Sequence, residues 1–340
     1  IDDGRLWWFG SDKEWGSLSD AYESFDETFV GDAGPINRSI ALGGRNKARW
    51  AAGIGTLIIG CDSQLVNTTA SALDEIITPD NLHNKSLGKV GAAKIAPVDC
   101  TDDRVLFVEA AGNAIYEVSW DGTKGRYLAT EFSKLTKDIF SGGIRQMAVQ
   151  NRPDQRILVA NTTAAATTIV FEPQQQVVAH IPWSTEDSGA VTDYVESIAV
   201  LPGTGQDRVY RSIKRVVNGS TVRYIEKDAL DSEAKPAAIT KCMDSHVVYG
   251  AGTTTLSGLN HLEGRTVVAW GDSAPVNTVG TTTTKEFVVS GGQITLDTAF
   301  TVGGCVGLPY RGRYKTPRLS YGVQNSTPML KNKALTACGL

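Results

Sequence analysis

The chain has 340 residues, 41% of them hydrophobic and 21% charged, with a formal net charge of −4. That length exceeds the usual single core and predicts one large repeat domain plus a smaller module. The mild acidity argues against a sequence-reading nucleic-acid binder, which carries a basic stripe. Five scattered cysteines (Cys61, Cys100, Cys242, Cys305, Cys338) without a CxxC pair argue against a disulfide framework or a zinc site.

Thirty-five glycines, many in turn-like clusters, predict many short strands with frequent reversals. From Ile1 to Asp32 nine acidic residues face only Arg5 and Lys13. Five apolar segments then recur: Arg5–Phe9, Leu57–Gly60, Val105–Val108, Ile157–Ala160 and Val209–Ile213. Their markers Leu6, Leu57, Leu106, Leu158 and Val209 lie 51, 49, 52 and 51 residues apart, a blade-sized period. A strand precedes several markers (Ala48–Ala51, Gln146–Val149, Val195–Val200), and a hairpin follows others. Val105–Val108 turns through Gly112-Asn113 into Ala114–Val118, and Val209–Val217 turns through Asn218-Gly219 into Ser220–Ile225. A sandwich of five hairpins fits the same strands, but the constant spacing favours a propeller of four-stranded blades.

The predicted fold is therefore all-β: a β-propeller of about five ~50-residue repeats over residues 1–228, with an additional small β-barrel or sandwich module. Between the strands, Thr69–Leu82 reads as a helical turn or a surface excursion. Phe132, Leu135 and Ile139 predict a short helix within Glu131–Phe140. Residues 229–238 read as a linker and residues 239–310 as the small module, where Ser290–Gly292 is expected to join Glu286–Val289 and Gln293–Leu296 in a hairpin. Residues 311–340 read as a return segment with six basic residues (Arg311, Arg313, Lys315, Arg318, Lys331, Lys333) and no acidic one. The acidic start and basic end read as two solvated faces or as complementary surfaces that meet a neighbouring subunit. Opening on Ile1, the sequence reads as a piece of a longer polypeptide.

Several stretches resemble the tail nozzle family (tail tubular protein B-like) of short-tailed bacteriophages and prophages, over nearly the whole chain. They are Asn46–Gly60, Leu106–Val118, Gly142–Gln150 with Pro153-Asp154 and Ile157-Leu158, and Val195–Gly203 with Thr221–Glu226. In the second module they are Leu259–Gly264, Gly291–Leu296, Val306–Tyr310 and Lys315-Thr316. The resemblance implies a virion structural protein of the phage tail, assembled in the bacterial host cytoplasm. It implies a homo-oligomeric ring, most often a hexamer, below the portal-adaptor ring and in contact with tail fibres or tailspikes. The ring would form the conduit for DNA ejection, touching double-stranded DNA transiently without stable nucleic-acid binding. Mild acidity suits such a passage, because each phosphate neutralised by Lys or Arg adds affinity.

No enzyme is expected, and no catalytic, cofactor-binding or metal-ligating residue. His83, His180, His246 and His261 lack metal-ligand spacing. Asp99, Asp102, Asp103 and Asp121 could supply a glycosidase pair, but Asp is also ordinary in blade turns. No GxSxG, Walker or GxGxxG signature is present. No stretch approaches the roughly 20 apolar residues of a membrane span. Seven tryptophans raise an alternative, a tail-tip receptor- or glycan-binding propeller. Most sit within or beside the repeated strands, where core filling and blade packing are expected, and Trp15 and Trp183 are the candidates for exposure.

Overall fold

A computed structural model describes residues 1–40, 42–43, 46–72, 75–101, 103–163, 165–175, 177–184, 193–234 and 243–309. Among them the chain is all-β, built from small antiparallel sheets that follow one another in sequence. The first sheet is β1 (Trp7–Gly10), β2 (Lys13–Gly16) and β3 (Ile36–Ser39). The second is β4 (Ala48–Gly53), β5 (Leu57–Cys61), β6 (Leu65–Thr69) and β7 (His83–Gly88). The third is β8 (Val98–Thr101), β9 (Arg104–Val108), β10 (Ile115–Asp121) and β11 (Arg126–Glu131).

A single helical turn, α1 (Lys137–Phe140), leads into the fourth sheet of β12 (Ile144–Gln150), β13 (Arg156–Asn161), β14 (Ala166–Glu172) and β15 (Val177–Trp183). The fifth is β16 (Tyr194–Leu201), β17 (Arg208–Val217) and β18 (Ser220–Lys227). Within each of these five sheets, every strand pairs with its neighbour in sequence. Leu57, Leu106, Leu158 and Val209 all fall in the second strand of their sheets, whereas Leu6 directly precedes β1.

Strand period 2 explains how the five sheets pack. Successive side chains of a strand point to opposite faces, so an unbroken apolar run can serve two cores at once. In β5, Leu57, Ile59 and Cys61 join Trp7 and Ile36 of the first sheet, while Ile58 joins Phe107 and Val118 of the third. In β9, Val105 and Phe107 face the second sheet, and Leu106 and Val108 face the fourth. In β13, Ile157 and Val159 face the third sheet, and Leu158 and Ala160 face the fifth. The second, third and fourth sheets thus each share one core with the sheet before and another with the sheet after, while the first and fifth share one core each. No apolar cluster of the described residues joins the fifth sheet to the first.

The Asn218-Gly219 hairpin is as expected, with both residues at positive φ (48° and 76°), the geometry a two-residue turn requires. The described residues between 70 and 82 contain no helix and bury Ala70, Ile77 and Leu82. The expected helix shrinks to α1. Leu135 lies outside it and is 97% exposed, while Phe140 is buried in the core and Phe132 and Ile139 pack against it.

Beyond α2 (Asp231–Ala234), which occupies part of the expected linker, comes β19 (Asp244–Gly250), β20 (Thr255–Ser257), β21 (Thr266–Gly271) and β22 (Ala274–Pro275). β23 (Glu286–Val288), β24 (Gln293–Thr295) and β25 (Gly303–Leu308) complete the second module. One sheet runs β19-β25-β21-β22 with β23 also on β21, and β20 pairs with β24. The module has its own core around Leu262, Val267, Ile294 and Phe300.

The turn expected across Ser290–Gly292 forms, with Ser290 and Gln293 exchanging backbone hydrogen bonds at 3.1 and 3.4 Å, but the pairing stops there and β23 and β24 join different sheets. The Glu263 carboxylate accepts the N–H groups of Gly291 (2.9 Å) and Gly292 (2.7 Å). Both glycines are left-handed, which pulls the turn toward Glu263 and splays the strands. The remainder of the linker and the 311–340 return segment lie outside the described residues. No helix among the described residues is long and apolar enough to cross a membrane.

Close packing between β4 and β5 depends on Gly60, where an added Cβ would run into the Trp50 indole. Both residues are buried, so the ring has little room to retreat. Gly60→Ala is expected to cost about 1–3 kcal/mol through overpacking, read as a lower urea midpoint with an unchanged slope.

Candidate functional site

The residues singled out for chemistry are dispersed. His83 is exposed on β7, with Nε2 3.0 Å from Ser71 Oγ. His180 on β15 lies between the Phe132 and Phe140 rings, and burial pushes its pKa down. His246 is half-buried on β19. His261 Nε2 donates to the Ser245 carbonyl at 3.0 Å, beside the Tyr224 ring. Among the described residues no three His, Cys, Asp or Glu side chains are grouped to hold a metal.

Cys61, Cys100 and Cys305 are buried and form no disulfide. Burial pushes the thiols of Cys61 and Cys100 up to about 12, so neither is a thiolate at neutral pH. Cys242 and Cys338 lie outside the described residues, as does Asp102. Asp99 sits on β8, and Asp103 lies beside Arg104. Asp121 closes the β10–β11 turn by accepting the N–H groups of Thr123 (2.9 Å) and Lys124 (3.1 Å), which holds its carboxyl below the usual range.

The tryptophan expectation is corrected. Trp15 is half-buried on the middle strand of its sheet. Trp183 is half-buried too, its ring covered by the Arg211 guanidinium at 4.3 Å and its Nε1 donating to Thr168 Oγ1. The exposed rings are instead Trp8 (59%) and Trp120 (42%).

Trp120 lines a cleft of about 550 Å³ between the chain start and the second and third sheets. The cleft is bounded by the chain start, the β4–β5 turn, the excursion after β6, and the β10–β11 end. Tyr127 packs edge-on against Trp120 (5.2 Å between centroids, 72°) and donates its hydroxyl hydrogen bond to the Ile54 carbonyl. Thr56 Oγ1 donates to Asn67 Oδ1 at 2.6 Å.

The opposite wall carries Asp2 and Asp3. Burial, reinforced by Asp3, pushes the Asp2 carboxyl up. Buried Arg5 anchors this wall by donating to the carbonyls of Ser17, Gly34 and Asp32 (2.6 Å each) and Ile77 (3.3 Å). The Ile77 N–H in turn donates to Asp3 Oδ2. The sequence signals none of this convergence, because Arg5 bonds groups 12 to 72 positions away.

A second polar cluster joins the fifth sheet to the second module. Arg215, 1% exposed, donates to Asp193 Oδ2 at 2.6 Å and to both Glu226 oxygens at 2.8 and 3.0 Å. Arg265, which precedes β21, reaches the same Asp193 oxygen at 3.1 Å, and Ser245 donates to Glu226 at 2.9 Å. Burial pushes the nearby Asp244 carboxyl up to about 6, against the attraction of Arg215. The joint is ionic, where the joints between the five sheets are apolar.

Asp193→Ala removes the carboxylate shared by two arginines and is expected to cost about 3–5 kcal/mol in chemical unfolding. Asp244 binds its proton more tightly folded than unfolded. Its contribution is therefore greatest at low pH and is lost as pH rises from about 4 toward 6. Unfolding measured across that window is expected to show the Asp244→Asn variant gaining stability relative to the parent as pH rises. Neither a protein-family profile nor a curated protein sequence matches the chain.

Proposed function

We propose that the five consecutive sheets are blades of a β-propeller, and that the chain is a subunit of the ring-shaped tail nozzle of a short-tailed bacteriophage. The observation that carries the propeller is the sharing of cores. The second, third and fourth sheets each pack on both sequence neighbours through the two faces of their second strand, as radial blades do, and the first and fifth each share one core with the sheet beside them. By the marker positions, β1–β3 correspond to the second to fourth strands of a blade, and β16–β18 to the first to third. Among the described strands the first and fifth blades are therefore each one strand short of four.

The nozzle reading rests on the motif resemblance, and the placement of those motifs supports it. Asn46–Gly60 spans β4 and β5, Leu106–Val118 spans β9 and β10, and Gly142–Gln150 with Ile157-Leu158 falls on β12 and β13. Val195–Gly203 and Thr221–Glu226 fall on β16 and β18. They mark related parts of successive sheets, not scattered loops. In this role the chain associates head to tail with its own copies, since a heterologous contact closes a ring when its rotation closes. The ring meets the portal-adaptor above and tail fibres or tailspikes at its sides, and its mildly acidic surface gives passing DNA little to hold.

Electron microscopy of virions, and of the full-length protein mixed with its portal-adaptor complex, tests this. A ring of this chain at the distal end of the tail is expected. A protein absent from virions and monomeric on that template would overturn the reading.

A further inference from the structure

We infer that the cleft walled by Trp120 binds a neutral oligosaccharide. The inference goes beyond the ring and does not depend on it, since every group it uses lies on one chain.

The first argument is the aromatic wall. A large ring that is 42% exposed at the end of a strand normally loses free energy by staying in water. Here the ring is also braced. Tyr127 packs against it edge-on, and the tyrosine is itself fixed by its bond to the Ile54 carbonyl across the β4–β5 turn. Gly55 at the tip of that turn is left-handed and lies against the tyrosine hydroxyl, so the turn closes over it. A held, half-exposed indole is a ready stacking plane for the C–H face of a pyranose, at little cost in side-chain entropy.

The second argument is the complement of polar groups. Sugar hydroxyls both donate and accept, and the cleft offers both partners. The Asp2 and Asp3 carboxyl groups line it with acceptor oxygens. The Asn67 amide has its oxygen engaged by Thr56, which leaves its NH2 to donate. The volume of about 550 Å³ falls inside the roughly 300–1,000 Å³ range of small-ligand sites.

The third argument sets the class of sugar. No lysine or arginine lines the cleft, while Asp2, Asp3 and Glu75 do. A sialylated, uronic or phosphorylated sugar would bring like charge into a partly enclosed space and gain no cation in return. Neutral hexoses and N-acetylhexosamines meet no such repulsion.

Oxidation of the native chain by N-bromosuccinimide, read residue by residue by mass spectrometry, provides an internal control, because Trp8 is exposed but lies outside the cleft. The probes are maltotriose, cellotriose and chitotriose, with 3′-sialyllactose and glucose 6-phosphate as anionic counterparts. At concentrations on the order of ten millimolar, at least one neutral trisaccharide is expected to slow Trp120 oxidation several-fold and leave Trp8 unchanged. Trp120→Ala is expected to lose about tenfold in affinity by calorimetry, while Trp120→Phe, which keeps a flat ring, retains most of it.

Absence of protection by all three neutral sugars overturns the site, as does equal protection of Trp8 and Trp120. Undiminished affinity in a folded Trp120→Ala variant overturns it too. Protection by the anionic sugars equal to that by the neutral ones overturns the assigned class.

Discussion

The constraint on which the rest of the structure depends is that the second strand of each inner sheet is buried on both faces. In β5, β9 and β13 alternate side chains belong to different cores, so each strand is at once the floor of one interface and the ceiling of the next. A shift of one residue in register would exchange the two sets and misfit both neighbours together. The other strands of these three sheets are placed by pairing outward from them. Hydrophobic burial at roughly 25 cal/mol per Å² rewards that arrangement twice per strand, and this explains why the runs are apolar without alternation. Where shape fails, a glycine intervenes: Gly60 holds its place on a fully buried strand because the Trp50 ring needs the space.

Much of this was readable from residue order. Runs such as Leu57–Gly60 and Val105–Val108 announce burial on two faces, their spacing announces repetition, and Asn218-Gly219 announces its turn by local sterics alone. The candidate cleft was not readable. It is assembled by residues from opposite ends of the first 130 positions, and Trp120 differs from Trp183 only in what happens to cover it. Arg211 shields Trp183 from the next sheet, and nothing of the kind covers Trp120. The buried charges were equally silent. Glu14 is fully buried because Thr68 and Asn84, on two strands of the neighbouring sheet, supply its hydrogen bonds. The turn at Gly291-Gly292 was legible, but the parting of its two strands was not, since Glu263 binds the turn from 28 and 29 positions away.

The two kinds of joint in the molecule differ in character. Apolar faces between sheets are adhesive and tolerant of angle, whereas the Asp193–Arg215–Arg265 cluster adheres only in the arrangement that satisfies all three groups. A buried ion pair of this sort gives back much of its attraction in lost hydration, so its main contribution is direction. The second module, with its separate core, is thereby aimed at a defined angle from the fifth sheet without being fused to it.

Contacts restricted to neighbours also shape how such a chain acquires its structure. In the first five sheets each strand pairs with one close in sequence, and each sheet needs only the one before it as a surface to condense on. A chain emerging from the ribosome can therefore fold by accretion, one sheet of about 50 residues at a time, without waiting for its far end. The sheet most recently made always presents an unfinished face and a free strand edge, the features that invite misplaced pairing with another chain. The order of synthesis is thus also the order in which those faces are covered, and the fifth sheet is the last of the five to wait for its partner.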